Sequence, residues 1–172
     1  MNFNPLPFFI QLMEMFHVEH IGGKMKNSLL TIGGKEIPVN GAYIFYQIFE
    51  DVFGTDFFAL LTEISELKNR QTQITEKKEQ TEEDKKEVLH LNLAILSLMK
   101  KTSQKMLFVF NLLTKSDSEV FEATIENYYS FLKEFPLRAF NTEEVNNIFN
   151  YYNDVSKSEV ESADPDQTPQ DE

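Results

Sequence analysis

Residues 25–53, MKNSLLTIGGKEIPVNGAYIFYQIFEDVF, decide how this chain folds. Two short runs with β-branched residues, Ser28–Ile32 and Lys35–Val39, are separated by Gly33-Gly34. Glycine reaches φ > 0 without steric cost, which the favoured two-residue hairpin turns require. Pro38 lacks an N–H and places the second run at an edge or near its end. After Asn40 the apolar residues change to helical spacing: Tyr43, Ile44, Tyr46, Ile48, Phe49, Val52 and Phe53 cover a wide face. A face that wide predicts a helix central to the core. Asn40 is the expected N-cap and Gly54 the residue that stops the helix. The hairpin is then the expected sole sheet, and two strands must lean on helices to be stable.

Beyond Gly54, Thr55 or Asp56 caps a helix opening FFALL, with Ile64, Leu67 and Ile74 continuing its stripe. Residues 68–87 mix charges of both signs at helical spacing, which predicts exposed helix. Thr81–Asp84 resembles a capping box and starts a new helix near Glu82. The two helices form an antiparallel hairpin whose tip, around Glu76–Thr81, projects from the core. Val88–Met99 is the most apolar stretch, so burial on most sides is expected, with His90 in the core or at its boundary. Lys100-Lys101 suit a helix C-terminus, and Ser103 can cap a further helix over Gln104–Leu113. One unbroken helix from 82 to 114 is the alternative. Ser116–Glu119 matches the capping box of a helix running through Val120 to Leu132 and ending before Pro136. Asn141 or Thr142 caps a last helix. The expected fold is mainly α, a bundle of about five to six helices with a short N-terminal β-hairpin and a projecting charged helical hairpin.

The flanks differ from this domain, taken as residues 25–155. Residues 1–24 form an irregular leader with Pro5, Pro7 and no clear period. Residues 22–25, GGKM, can be encoded by GGA GGA AAA ATG, a ribosome-binding site ahead of a start codon. Met25 is therefore the expected initiator, and N-terminal sequencing that began at Met1 would refute this. Residues 156–172 are acidic, contain two prolines and read as a disordered tail.

With 28 acidic and 16 basic residues the net charge is −12, which disfavours nucleic-acid and anionic-membrane binding. No apolar run approaches the ~20 residues of a membrane span. Cysteine is absent, so thiolate chemistry and disulfides are excluded. No nucleophile–base pair, phosphate-binding glycine loop or EF-hand spacing is present. Glu82-Glu83-Asp84 and Glu143-Glu144 lie in helix first turns, where acids complement the macrodipole. His17 and His20 lack the further ligands of a zinc site. No catalytic, cofactor or metal site is expected, and the chain reads as a non-enzyme. Tyr128-Tyr129 and Tyr151-Tyr152 set adjacent rings about 100° apart on a helix. One ring of each pair is expected near the surface, so Tyr128, Tyr129, Phe149, Tyr151 and Tyr152 are the candidate partner-binding residues.

The start MKNSLLTIGGKEIPV, the Phe/Tyr-rich helix and the run from Gly54 to Leu61, GTDFFALL, resemble the tail assembly chaperones of long-tailed (siphovirus-type) phages of Gram-positive bacteria. The resemblance covers mainly residues 25–67. It implies binding of the tape measure protein, with the major tail (tube) protein as a second candidate partner and self-association open. It also implies action in the host cell cytoplasm and absence from the mature virion. A small acidic protein-binding adaptor or regulatory protein is the alternative, and a DNA-mimic inhibitor is a further one.

Overall fold

The computed structural model describes residues 28–41, 44–115 and 124–161. Their order is β1 (Ser28–Ile32), β2 (Lys35–Val39), α1 (Phe45–Phe53), α2 (Phe57–Thr75), α3 (Glu82–Leu112), α4 (Ile125–Glu134), a 3-10 turn (Leu137–Ala139) and α5 (Thr142–Glu161). The expected mainly helical bundle with an N-terminal hairpin is therefore what forms. The leader, the Ser116–Glu119 capping box and the tail beyond residue 161 lie outside the described residues.

The hairpin is antiparallel, with Ile32 opposite Lys35, Leu30 opposite Ile37 and Leu29 opposite Pro38. Gly33 and Gly34 turn it at φ 57° and 79°. Hydrogen-bonded and non-hydrogen-bonded pairs alternate away from such a turn. Pro38 falls in a non-hydrogen-bonded pair, where its missing N–H takes nothing from the ladder. Ile32, Ile37 and Val39 point inward and are buried.

The C-terminal half of α3 is the axis of the core. Met106, Leu107, Phe108, Val109, Phe110 and Leu112 are all buried, because α1, β2, α4 and α5 pack around that half. Phe45 of α1 stacks on Phe110 with ring centroids 4.7 Å apart, and Phe57 meets Phe45, Phe49 and Tyr152 edge-on at 5.2 Å each. The predicted stop and start between α1 and α2 are both present. Gly54 is left-handed at φ 60°, and Asp56 accepts the Phe58 N–H at 2.8 Å. The start of α5 is a capping box: Glu144 N–H donates to Asn141 Oδ1 at 2.9 Å, and Asn141 N–H donates to Glu144 Oε2 at 2.6 Å. The other carboxylate oxygen of Glu144 accepts the Gly33 N–H at 2.8 Å and ties the hairpin turn to the last helix.

Four sequence expectations change. Asn40 does not cap α1, which begins at Phe45. Its backbone N–H donates to the Phe110 carbonyl at 2.9 Å and its side-chain amide donates to the Leu113 carbonyl at 3.4 Å. The last carbonyls of α3 have no intrahelical donors, and Asn40 fills that need. Second, the alternative of one unbroken helix is what forms: α3 has 31 residues and is about 46 Å long at 1.5 Å per residue. Lys100-Lys101 are therefore mid-helix, and Ser103 caps nothing. Its hydroxyl is buried and has no hydrogen-bond partner among the described residues. Third, Thr124 is extended at φ −131° and caps α4, so the expected helix does not run unbroken through Thr124 to Leu132. Fourth, α5 continues to Glu161, past the point near Ser156 where the tail was expected.

Gly41 marks a close approach of backbone to helix. A Cβ there would lie 2.6 Å from both methyl carbons of Val155. Gly41→Ala should destabilise the fold by about 1–3 kcal/mol through overpacking. Val155→Ala should restore part of that loss, and urea denaturation of the four-member cycle measures the coupling.

Candidate protein-binding face

The N-terminal half of α3 leaves the core with α2 beside it. The sequence builds this arm locally. Thr81 and Asp84 form a reciprocal capping box, with Thr81 N–H to Asp84 Oδ2 at 3.0 Å and Asp84 N–H to Thr81 Oγ1 at 3.1 Å. Lys77 donates to Asp84 at 2.5 Å and binds the connection to the helix start. That hydrogen bond, then the Thr81 N–H, holds the Asp84 carboxyl well below the usual carboxylate range, at about 2. Arg70 pairs with Glu87, and Gln71 donates to Asn92 at 2.5 Å, which fixes the register of α2 against α3. Between the two helices Ile64, Ile74, Leu91 and Ile95 are buried, outside the main core cluster.

Among the described residues one helix lies alongside and covers one face only. Leu89, Leu93 and Leu96 lie on the other face, 57%, 59% and 38% exposed. They are spaced i, i+4, i+7, which at 100° per residue keeps them within an arc of roughly 60°. The expected burial of Val88–Met99 on most sides is therefore wrong, and His90 is exposed, not in the core or at its boundary. The outer face of α2 is different in kind: Thr62, Glu66, Asn69 and Gln73 are exposed there. Large apolar side chains in a row on a surface are the informative departure, since a single exposed leucine is ordinary.

The aromatic candidates are divided by burial. Tyr128 is buried against Phe53 and Phe108, at 4.8 and 5.4 Å, while its neighbour Tyr129 is 58% exposed. Burial, then the neighbouring Tyr129, pushes the Tyr128 hydroxyl up to about 12. In the second pair Tyr152 is buried, and its hydroxyl is 3.1 Å from that of Tyr46. Tyr151 is half-buried, edge-on to Phe110 at 5.0 Å. Burial raises its hydroxyl pKa, and the hydroxyl has no hydrogen-bond partner among the described residues. Phe149 is half-buried and packs on the core. The five are not brought together as one exposed patch; of them Tyr129 alone is largely open to solvent.

Lys105 lies over the Phe53 ring, 4.8 Å from its centroid, and burial pushes its ammonium pKa down. Gln104 is buried, donates to the Phe135 carbonyl at 2.7 Å and accepts from the Tyr128 hydroxyl at 3.4 Å. These groups hold α4 on α3 and are structural. Among the described residues no three His, Asp or Glu side chains are grouped to hold a metal ion. Nor is any helix among them long and apolar enough to cross a membrane.

A scan of known protein families and searches of curated proteins and of solved structures find no match to this chain.

Proposed function

We propose that this protein is a non-enzymatic chaperone of phage tail assembly, which binds the tape measure protein and keeps it soluble while the tail forms. The observation that carries the reading is the row Leu89, Leu93, Leu96 on an arm that stands away from a complete core. A long client rich in amphipathic helix exposes apolar stripes that aggregate unless covered. A row of leucines covers such a stripe by helix-on-helix packing. Further burial of three half-covered leucines contributes about 1–2 kcal/mol each, which suits a contact that tube subunits later displace. The net charge of −12 keeps a coated filament soluble and its neighbours apart. The place of action under this reading is the host cytoplasm, with release before the virion is complete.

Co-expression with the tape measure protein of the same phage tests the proposal. The client should move from the pellet to the soluble fraction and co-purify with this chain. A client that stays insoluble and fails to co-purify would refute it.

A further inference from the structure

The leucine row has a charged frame that narrows what can lie on it. Lys86 precedes Leu89 by three residues and Lys100 follows Leu96 by four, so both share its side of the helix. Lys101 is beside Lys100. None of the three is in an ion pair among the described residues. From Lys85 to Lys101 the helix carries four lysines and one acid, Glu87, which is taken up by Arg70. Lys85 is paired with Glu82 one turn nearer the tip. A locally basic, apolar face thus stands on a chain of net charge −12.

We propose that this face docks a single amphipathic helix of a partner protein whose apolar stripe is flanked by Asp or Glu. The proposal rests on the protein-binding reading above and adds the chemistry of the client segment. Carboxylates beside the client's stripe meet Lys86, Lys100 and Lys101, while its apolar residues cover Leu89, Leu93 and Leu96. A second copy of this chain fits less well. The two-fold pairing that sets Leu89 against Leu96 also sets Lys85 against Lys100, and the nearby acids Glu82 and Asp84 are already paired with Lys85 and Lys77. A bilayer fits less well too, because the rest of the chain is repelled by anionic lipid.

The test uses the full chain and two fluorescent peptides of about six helical turns with the same leucine stripe. One is flanked by glutamate, the other by lysine. At low salt the glutamate peptide should bind about tenfold more tightly, and added salt should erode the difference. Leu93→Ser should abolish binding, and K86E/K100E should reverse the preference; Lys86 and Leu93 are exposed and Lys100 is half-buried, and circular dichroism checks the fold. Equal binding of the two peptides, or no effect of Leu93→Ser, would overturn the proposal. So would dimerisation in sedimentation, or binding to phosphatidylglycerol vesicles, that Leu93→Ser abolishes. Binding seen only after removal of residues 1–24 would also overturn it, with those residues as the occupant. If Leu93→Ser still keeps the tape measure protein soluble in co-expression, this face is wrong while the chaperone reading stands. If the wild type fails there yet binds the glutamate peptide, the face stands and the chaperone reading falls.

Discussion

Phe110→Ala should lower the unfolding free energy by about 3–5 kcal/mol. Phe110 is 1% exposed, stacks on Phe45 at 4.7 Å and meets Tyr151 edge-on at 5.0 Å. Truncation removes the ring's transfer free energy and leaves a cavity that α1, α3 and α5 all line. None of these can close it without dragging the others, so relaxation recovers little. Small domains have roughly 5–15 kcal/mol of stability in all, and this one residue holds a large share. Urea titration followed by far-UV circular dichroism gives the loss. A change below about 1 kcal/mol would mean that the aromatic cluster is not the centre of the fold.

Lys101→Pro should cost about 3 kcal/mol or more. Lys101 is exposed and in no ion pair among the described residues, so substitution disturbs little besides the backbone. In the continuous α3 a proline there removes one hydrogen bond of the ladder and its ring collides with the carbonyl four residues back. Were the chain to break between Lys100 and Ser103, position 101 would be a connection and proline would be nearly neutral. Lys101→Ala is the control and should stay within about 0.5 kcal/mol of wild type. The pair of variants thus reads helix continuity directly from stability. Continuity also bears on the proposed docking of a partner helix, since it holds the leucine arm on the core without a hinge.

Local signals in the sequence were sound wherever one residue type answers one backbone need. Gly33-Gly34 made the hairpin turn, Gly54 the left-handed stop and Thr81–Asp84 the box of α3, while of the two residues expected at each start Asp56 caps α2 and Asn141 caps α5. Such features depend on a few adjacent residues, so spacing alone reveals them. Asn40 misled for the same reason: it has the side chain of an N-cap, but its donors go to carbonyls of α3 some seventy residues away. Ser103 misled likewise, because packing around the C-terminal half of α3 keeps the helix unbroken through a serine that could have capped a new one.

The composition and pattern of this chain were enough to establish a mainly helical protein with an N-terminal hairpin and a strongly acidic balance. Which apolar residues form the core and which stay outside it was settled only by the fold. Val88–Met99 is apolar on several sides, and periodicity cannot say how many neighbours will cover it. Among the described residues a single helix, α2, runs beside that half of α3, so Leu91 and Ile95 are buried while Leu89, Leu93 and Leu96 are left exposed. Burial is a property of where other elements end, and no stretch of sequence carries that within itself.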